Sequence, residues 1–501
     1  MFKIAFLQKD FRFNHAFSIM SAILKNNGFE TSAFLLDGNK NIVSEIHDYR
    51  PDIVAATIMT PSHIKMFEIL RELKKRFDKP VIVGGAHTTF YPDAVDWKVV
   101  DAICIGDGEY AMLDYAKAVR DAQQVTGIQN LWVKQDDRIV RNSLRPIVPL
   151  ADLPFPDFSL YYDKYPQLRS DGLKRFLVAK GCPFNCSFCF NMLLKEMYAQ
   201  KGEYVRFKHP EQIIKEVEYV RDNYGLKWAQ FECDTINLNR KWLKSFLDLY
   251  TAKIRIPFLC NIRIDLMDDE LAQDMKKAGC DRVDFGLEHG NEKLRREILN
   301  RNMNNEQILA GAKALRTNKL RFHTTNIIGL CGETIENALE TVDLNRRIGV
   351  EHASFSVLQL FPNTMIYKYA RQNGYLSRDY TPLEVTYCMS TVSDLLAKNK
   401  SDRSNFVRRQ SILEQNNIDQ LVNLSFFAGL LVKCKLLTPV IMRLIQGRPN
   451  RIYLFANLLP TWIISLKYEN RLSEKMKIIR SMTRVLFFQP GFSEKKAAGK
   501  R

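Results

Sequence analysis

The sequence predicts an α/β protein in which a doubly wound parallel sheet precedes a partial (β/α)6 barrel and a helical C-terminal region. Short apolar runs alternate with helical stretches over residues 2–122, and the alternation resumes with longer helices over residues 174–375. A chain of 501 residues has room for about three such units. We therefore expect a Rossmann-like domain at residues 1–122, a connector at 123–170, the barrel at 171–375 and the helical region at 376–501.

The composition argues against several classes of protein. Ten cysteines in 501 residues are too few for a disulfide framework, and they predict a reducing compartment. The N-terminal apolar run Ile4–Leu7 is too short for a signal peptide, and no uninterrupted apolar run reaches the roughly 18 residues of a membrane span. We expect a cytoplasmic protein.

Positive charge is concentrated at one end of the chain. The net charge is +17, and residues 401–501 hold 18 Lys and Arg against 6 Asp and Glu, so this segment carries 12 of the 17 excess positive charges. Such asymmetry favours an anionic partner for the tail and not for the whole molecule.

The first region contains five short apolar runs separated by helical patterns. The first helix ends at Asn27-Gly28, which is a typical helix stop. A parallel sheet of this kind binds ligands at the carboxyl ends of its strands. Predicted strands lie at 3–7, 31–36, 52–57, 80–83 and 102–105, and predicted helices at 17–25, 61–77 and 109–119.

Two of these strands end in glycine-rich turns. Gly84 and Gly85 follow the fourth strand, and Gly106-Asp107-Gly108-Glu109 follows the fifth. Glycine lets a backbone approach a ligand closely, although such turns also simply end strands. The G-x-G-x-x-G fingerprint is absent after the first strand, so the sequence does not indicate a nicotinamide-binding domain.

The connector and the second region follow. Residues 128–141 suggest a hairpin, and Pro154–Asp157 predicts an extended crossing. Six strands are then expected at 175–180, 228–232, 257–262, 282–287, 322–328 and 354–359. Polar residues at the carboxyl ends of barrel strands form active sites. Those found here are Glu232, Asp234, Arg263, Asp265, Glu288, His289, Asn326 and Glu333.

Three cysteines directly follow the first barrel strand. Cys182, Cys186 and Cys189 have C-x3-C-x2-C spacing, which lets thiolates of one loop bind one iron–sulfur cluster. Three ligands leave one iron of a four-iron cluster open for chemistry. A structural zinc site or chance clustering is the alternative. Zinc ribbons usually offer two C-x2-C pairs, and no second pair occurs in this chain.

This spacing, with Phe188 before the third cysteine, resembles the radical S-adenosylmethionine (SAM) superfamily. The resemblance implies that the open iron binds the amino and carboxylate groups of SAM. Reduction of the cluster would then cleave SAM to methionine and a 5′-deoxyadenosyl radical, which abstracts a hydrogen atom. An electron donor such as a flavodoxin or ferredoxin is implied as a partner.

The later strand ends resemble the same superfamily segment by segment. Residues 231–234, 261–265, 286–290 and 328–334 match its second-, third-, fourth- and fifth-strand segments. Departures are Cys233 for an acid, His289 for a serine and Cys331 for a proline. Each residue alone could instead be a surface charge or a helix cap. The resemblance implies that the SAM-binding residues are Phe188, Glu232, Asp234, Arg263, Glu288, Gly329 and Glu333.

The glycine turns and the cysteine loop together resemble radical SAM proteins with a cobalamin-binding domain. The D-x-H-x-x-G loop that supplies an axial histidine in other cobalamin proteins is missing. Many relatives also lack it and bind cobalamin, whereas others keep the domain without cobalamin. His87 is a loop ligand or an ordinary surface histidine. The resemblance implies a cobalamin site at Thr57, Thr60, Gly84, Gly85, His87, Gly106, Gly108 and Glu109.

Cys233 and Cys331 are weighed as hydrogen-atom donors, because a thiol gives up hydrogen readily. The alternative for each is a small buried side chain.

In the tail, Leu421–Met442 and Ile452–Leu466 are apolar stretches flanked by basic residues. They suit helices at an anionic membrane surface or, equally, a helical cap on the barrel. No RNA-binding motif appears, so we expect no nucleic-acid partner.

The resemblance implies a cobalamin-dependent radical SAM enzyme. We expect C-methylation of an unactivated carbon in a hydrophobic or natural-product substrate, with peripheral membrane contact through residues 401–501. Ring formation or modification on a tetrapyrrole or polycyclic lipid is the alternative reaction. An iron–sulfur protein with a cobalamin-free N-terminal interaction module is the alternative of another class.

Overall fold

The computed structural model describes residues 1–381, 411–447 and 451–468, together with residues 475, 476, 479 and 482. Its two large sheets are the doubly wound sheet and the barrel sheet that the sequence predicts, which confirms the fold class. Each sheet is covered by helices. The parts of the tail predictions that fall on residues 382–410, 448–450 and beyond 468, apart from the four single residues, lie outside the described residues.

The first sheet has the strand order β2-β1-β3-β4-β5-β6-β7, and its first five strands run parallel. Helices α1 and α5 cover one face, whereas α2 and α3 cover the other. The strands are β1 (Lys3–Gln8), β2 (Glu30–Leu35), β3 (Ile53–Thr57), β4 (Val81–Gly84), β5 (Ala102–Cys104), β6 (Leu131–Gln135) and β7 (Arg138–Arg141). The helices are α1 (His15–Lys25), α2 (Ile42–Tyr49), α3 (His63–Arg76), α4 (Ala86–Phe90) and α5 (Glu109–Arg120).

The hairpin of the connector extends this first sheet. Strand β6 pairs antiparallel with β5, through Ile103 opposite Trp132, and β7 pairs antiparallel with β6. The hairpin supplies hydrogen bonds that the edge of β5 would otherwise lack. Two short helices, α6 (Ser159–Tyr162) and α7 (Pro166–Ser170), then lead into the barrel.

The second sheet is a six-stranded partial barrel with the order β15-β14-β13-β12-β11-β8, and every neighbouring pair is parallel. A two-residue strand, β9, pairs with β10 outside it. The strands are β8 (Leu173–Leu177), β9 (Ala179–Lys180), β10 (Arg206–Phe207), β11 (Trp228–Glu232), β12 (Phe258–Asn261), β13 (Cys280–Glu288), β14 (Arg321–Ile328) and β15 (His352–Val357).

Helices connect the barrel strands, and most of them begin with a side-chain cap. In α13, Asn304 and Gln307 form a reciprocal capping box that satisfies amide groups of the first turn. The helices are α8 (Phe190–Met197), α9 (Pro210–Tyr224), α10 (Arg240–Lys253), α11 (Asp269–Lys277), α12 (Glu292–Glu297), α13 (Asn305–Thr317), α14 (Ile335–Arg347) and α15 (Met365–Gln372).

Among the described residues of the C-terminal region, three further helices occur, and they are α16 (Ile418–Lys433), α17 (Thr438–Leu444) and α18 (Arg451–Tyr468). Helix α16 packs against α14 and β15, and most of its residues are buried. The first apolar stretch of the tail therefore forms largely a cap on the barrel. Within residues 1–381, 411–447 and 451–468, no helix is both long enough and apolar enough to cross a bilayer.

Candidate active site

The three-cysteine loop is held in place by the segment that follows α12. The Ser187 hydroxyl donates to the Ile298 carbonyl at 2.6 Å, and the Ser187 amide donates to the Leu299 carbonyl at 2.9 Å. The Asn300 side chain donates to the Asn185 carbonyl at 2.7 Å. A loop without regular secondary structure is thus fixed by hydrogen bonds to another loop.

Cys186 lies beside a half-buried arginine. Arg301 Nη1 is 3.6 Å from Cys186 Sγ, and Nη2 donates to the Gly286 carbonyl at 2.6 Å. Burial alone would lower the pKa of Arg301, but the Glu288 carboxylate and the Cys186 sulfur raise it above its ordinary value. The positive charge of Arg301 therefore lies beside a sulfur that would carry negative charge when it binds metal.

Glu288 reaches this place through an unusual backbone conformation. Its φ is 65°, and its side chain folds back over Gly286, where an added Cβ would lie 1.9 Å from Glu288 Oε1. A side chain at position 286 would therefore displace the Glu288 carboxylate from this place. Burial raises the pKa of Glu288, with Arg301 acting in the opposite direction.

The donor set of the loop suits an iron–sulfur cluster. Cys186 is buried, and Cys182 and Cys189 are half-buried. In the part of the chain that the structure describes, no three His, Cys, Asp or Glu side chains converge as ligands of a single metal ion would. A four-iron cluster instead takes each thiolate on a different iron, so that the sulfurs surround a cube. Cys182, Cys186 and Cys189 are the residues that would hold it.

Asp234 is hydrogen-bonded to both ends of the cysteine loop and is also exposed to solvent. Its Oδ2 accepts a hydrogen bond from the Gly181 amide at 2.9 Å, and its Oδ1 accepts one from the Asn191 side chain at 2.6 Å. Gly181 precedes the loop and Asn191 follows it, so one carboxylate ties both ends together. Asp234 is exposed, as a contact to SAM requires.

Glu232 joins the barrel to the first domain. Arg175 Nη1 donates to Glu232 Oε1 at 2.6 Å, and His15 Nε2 lies 3.2 Å from Glu232 Oε2. Burial by itself would raise the pKa of Glu232, but His15 and Arg175 lower it to about 2. The carboxylate is therefore ionised, and its side chain is 32% exposed, which leaves room for a ligand.

Three further residues are expected to bind SAM but make internal contacts, and they are Arg263, Gly329 and Glu333. Arg263 is 3% exposed, pairs with Asp265 at 2.8 Å and lies over the Phe184 ring at 3.5 Å. Glu333 is 1% exposed, and its Oε2 accepts hydrogen bonds from the amides of Gly329 at 2.6 Å and Leu330 at 2.7 Å. These contacts shape the cysteine loop and the turn after β14.

Glu333 also holds His289, which replaces the serine of the resembled motif. His289 Nε2 lies 3.0 Å from Glu333 Oε1, and His289 Nδ1 accepts a hydrogen bond from the Asn291 amide at 3.1 Å. The proton of a neutral ring therefore sits on Nε2, where it donates to the carboxylate. Phe188, for its part, packs at the edge of an apolar cluster that includes Leu299.

The two thiols weighed as hydrogen donors lie in different surroundings. Cys233 is half-buried between Glu232 and Asp234 at the end of β11. Cys331 is 1% exposed within an apolar cluster with Leu330. Only Cys233 thus borders the open end of the barrel.

The first domain contains a cleft between its sheet and helices α1 and α5. Its volume is about 640 Å³, including space open to solvent. Six of the residues expected at a cobalamin site line this cleft, and they are Thr57, Gly84, Gly85, Gly106, Gly108 and Glu109. Its other wall comes from α1 and α5 through Phe17 and Met112, and Lys180 of the barrel closes one side.

Close packing of neighbouring atoms restricts positions 85 and 108 of the cleft to small residues. Gly85 has φ 101°, and a Cβ there would meet the Ile58 carbonyl and Thr57 Oγ1 at 2.8 Å each. A Cβ on Gly108 would lie 3.0 Å from both Cys104 Sγ and Met20 Cε. A cradle of bare backbone beside an apolar wall fits the nucleotide tail and corrin edge of cobalamin.

His87 and Thr60 do not line this cleft. The His87 ring is completely buried and stacks on the His63 ring with a centroid distance of 4.2 Å. Burial lowers the pKa of His87 to about 3, so the ring is neutral. The Thr60 carbonyl contacts His63 Nδ1. Both expected residues instead pack in the layer between α3 and α4.

Several site residues were not predicted from the sequence. Arg301, His15 and Lys180 reach the site through contacts with residues distant in the chain. A single basic residue has no periodicity or spacing that would mark it. The glycine turn and the cysteine spacing are local patterns, and for that reason they could be found.

A parallel barrel with a three-cysteine loop at its carboxyl edge, joined to a doubly wound domain with a glycine-lined cleft, defines an enzyme of two metal cofactors. Residues 176–344 match the radical SAM superfamily, and residues 14–116 match the B12 binding domain. The chain belongs to the radical SAM proteins that carry a cobalamin-binding domain. Its cofactors are a 4Fe-4S cluster, SAM and cobalamin, which sets aside the cobalamin-free interaction module.

Individual relatives agree with this assignment. An uncharacterized methyltransferase of Pyrococcus horikoshii is 27% identical over 356 residues, covering 69% of this chain and 75% of that protein. The anaerobic magnesium-protoporphyrin IX monomethyl ester cyclase of Rubrivivax gelatinosus is 27% identical over 367 residues, covering 68% of this chain and 63% of that protein. Relatives of the chain therefore include methyltransferases and a cyclase.

Solved structures share the fold. The radical SAM methyltransferase TsrM of Kitasatospora setae, with cobalamin and a [4Fe-4S] cluster bound, aligns with a TM-score of 0.63 at 19% identity, covering 89% of this chain and 99% of that chain. The cobalamin-dependent radical SAM enzyme OxsB with aqua-cobalamin aligns with a TM-score of 0.68 at 13% identity, covering 98% and 84%. At these identities the likeness concerns the fold.

Proposed function

We propose that the protein transfers a methyl group to a carbon atom of a small molecule. The observation that carries this proposal is that the cleft and the cysteine loop meet at one mouth. Phe90 of α4, which follows the Gly-Gly turn, stacks on Phe190, which follows the cysteine loop, with a centroid distance of 4.2 Å. The Tyr91 hydroxyl donates to the Pro362 carbonyl at 3.0 Å. Two cofactors held so close suit a reaction that uses both.

Different residues of this chain have different roles where the cleft and the cysteine loop meet. When bound, the cluster with SAM supplies hydrogen abstraction and cobalamin supplies the methyl group. Asp234 and Glu232 offer ionised or exposed carboxylates to the amino group or ribose of SAM. Arg301 keeps positive charge beside Cys186, and the turn held by Glu333 shapes the rim. Cys233 is the better placed of the two thiols to donate a hydrogen atom.

The lumen of the barrel favours a substrate with a polar portion. Thr325, Ser354 and Ser356 alternate with buried neighbours on β14 and β15, yet their own side chains are exposed. Asn261 on β12 is also exposed. The opposite face of these strands packs on helices, so the exposed groups face the lumen. We infer that a hydrogen-bonding part of the substrate enters the barrel, while a hydrophobic part stays outside.

Two coproducts test methyl transfer. The reconstituted protein, supplied with SAM, a flavodoxin or ferredoxin reducing system and extracts as substrate source, is expected to form 5′-deoxyadenosine and S-adenosylhomocysteine together. The first reports hydrogen abstraction and the second reports recharging of cobalamin. Methyl-deuterated SAM would label the product. Formation of 5′-deoxyadenosine with an unlabelled, modified product would contradict methylation.

Ring formation is the second candidate reaction. The cyclase relative of Rubrivivax gelatinosus is as similar to this chain, at 27% identity, as the methyltransferase relative is. A ring-forming enzyme also begins with hydrogen abstraction but has no need of a methyl donor. The two reactions are therefore separated by S-adenosylhomocysteine, which only methylation produces in step with product.

We propose that the tail docks on an anionic membrane surface. Leu436 is 89% exposed and Val440 is 57% exposed, and they lie one helical turn apart. Lys435 and Arg443 are exposed beside them. Apolar side chains flanked by basic ones suit the boundary between headgroups and acyl chains.

Vesicle sedimentation tests this contact. A Leu436→Glu variant is expected to bind vesicles of phosphatidylcholine and phosphatidylglycerol about 30-fold more weakly than the unmodified chain, because burying leucine contributes about 2 kcal/mol. The control is Ile64→Glu, which changes an apolar side chain of α3 that is 39% exposed. Equal losses in both variants, or no binding by the unmodified chain, would overturn the membrane proposal.

A further inference from the structure

We propose that Lys180 is a positioning residue that couples the cobalamin cleft to the cluster loop. Lys180 Nζ lies 3.1 Å from Asp107 Oδ1 and 3.3 Å from Glu109 Oε1. Asp107 and Glu109 belong to the turn that follows β5, and the side chains of all three residues line the cleft. Lys180 itself stands two positions before Cys182. One side chain thus belongs to the wall of one cofactor site and to the stem of the other.

The backbone of Lys180 is as firmly placed as its side chain. It pairs with Arg206 in the antiparallel β9–β10 ladder. The next residue, Gly181, donates its amide to Asp234, and an added Cβ on Gly181 would lie 2.3 Å from the Tyr204 carbonyl. The stem has no room to move independently of these partners. A displacement of Lys180 therefore displaces the start of the cysteine loop.

Asp107 also forms an ion pair with a second basic side chain of the barrel, that of Arg206. Arg206 Nη2 lies 2.8 Å from Asp107 Oδ2, and Arg206 Nη1 donates to the Val148 carbonyl at 2.9 Å. Arg206 and Glu109 each have 8% of their side chains exposed. Two cations and two carboxylates therefore balance in a partly buried seam between the domains. Removing one partner leaves an opposite charge without compensation, which is costly away from water.

The far end of the cluster loop is attached to the same turn. Tyr198 directly follows α8, and its hydroxyl accepts a hydrogen bond from the Asp107 amide at 2.7 Å. Gly106 packs so closely on Tyr198 that an added Cβ would lie 2.1 Å from the hydroxyl. The stretch that begins at Lys180 and ends at Tyr198 is thus clamped at both ends to the turn 106–109. Movement of that turn on cobalamin binding reaches both ends of the stretch.

The coupling has a thermodynamic signature that requires no substrate. If Lys180 couples the two sites, the cluster must change the affinity for cobalamin, and cobalamin must change the affinity for the cluster by the same factor. Hydroxocobalamin Kd is measured on the full chain before and after reconstitution with iron and sulfide. We expect the two values to differ by at least about fivefold, the lower end of usual coupling factors. The electron paramagnetic resonance signal of the reduced cluster should also change on adding hydroxocobalamin.

Variants separate coupling from simple stability. In Lys180→Met, both cofactors should still bind, but the ratio of the two Kd values should fall towards 1. Lys180→Arg should restore much of the ratio, because it keeps the cation. The control Lys79→Met removes a surface lysine that lies 3.5 Å from Asp52, and it should leave the ratio unchanged.

A second variant keeps the test decisive if Lys180→Met does not fold. Tyr198→Phe keeps the ring against Gly106 but removes the hydroxyl that accepts from Asp107, and it should reduce the ratio. Equal Kd values with and without the cluster in the unmodified chain would overturn the proposal. So would an unchanged ratio in Lys180→Met or, where that variant does not fold, in Tyr198→Phe. The inference rests on the proposed function only in assuming that both cofactors bind, so a failure to form S-adenosylhomocysteine would refute methylation and leave this coupling standing.

Discussion

Replacing Cys186 with alanine is expected to abolish both cluster binding and cleavage of SAM. Cys186 is one of three thiols available to the cluster, and its sulfur lies 3.6 Å from Arg301 Nη1. The variant would hold the cluster by two thiolates and leave the Arg301 charge without its sulfur neighbour. Iron and sulfide content, the visible absorption of the reconstituted protein and the amount of 5′-deoxyadenosine measure the outcome. All should fall to background.

The control for this variant is Cys434→Ala. Cys434 is half-buried at the C-terminal end of α16 and lies outside the motif, so its loss should leave iron content and absorption unchanged. Cobalamin binding should survive in both variants, because the cleft draws none of its lining from the three cysteines. A stable cluster with full 5′-deoxyadenosine formation in Cys186→Ala would refute the assignment of the loop.

The elements of both sheets could be predicted because their signals are local. The predicted strand at 228–232 coincides with β11, whereas the one predicted at 175–180 is divided between β8 and β9, which lie in different sheets. The other four barrel strands differ from the prediction by one or two residues at their ends. Apolar runs between turn residues mark such strands without any knowledge of their neighbours. Likewise, the spacing of Cys182, Cys186 and Cys189 needs nothing beyond one loop.

Pairing and side-chain direction could not be predicted in the same way. The β6–β7 hairpin was expected in a connector, and only its hydrogen bonds to β5 show that it extends the first sheet. Glu333 and Glu232 both stand at strand ends. Glu333 turns inward to amide groups of its own turn, whereas Glu232 meets His15 of another domain. The adjacent sequence does not distinguish these outcomes, because His289 beside Glu333 and His15 beside Glu232 are both distant in the chain.

The same limit explains the tail. An apolar helix with basic flanks has the same sequence pattern whether it covers a barrel or lies on a membrane. Helix α16 buries its residues against α14 and β15, whereas Leu436 just after it is 89% exposed. One stretch of sequence therefore contains a buried helix followed by an exposed apolar turn, which composition alone could not resolve.

Replacing Gly84 with leucine is expected to prevent cobalamin binding while sparing the cluster. Gly84 ends β4 and lines the cleft, and a Cβ there would lie in ordinary contact, 3.6 Å from Cys104 Cβ. The backbone therefore accepts a side chain, but the rest of a leucine would occupy cleft space that the ligand needs. Overpacking typically costs about 3 kcal/mol, so hydroxocobalamin binding should weaken by about 100-fold.

The graded control is Gly84→Ala, whose single methyl group the cleft accommodates, so hydroxocobalamin should bind nearly as it does to the unmodified chain. In Gly84→Leu, iron content and reductive formation of 5′-deoxyadenosine should persist, whereas labelled methyl product should disappear. This pattern would separate the roles of the two cofactors. The cluster loop would serve the first step, hydrogen abstraction, and the cleft would be needed only for the later methyl transfer. Normal corrin absorbance retained by Gly84→Leu after desalting would show that cobalamin lies elsewhere. Loss of 5′-deoxyadenosine together with cobalamin would instead show that the cleft already acts at the first step.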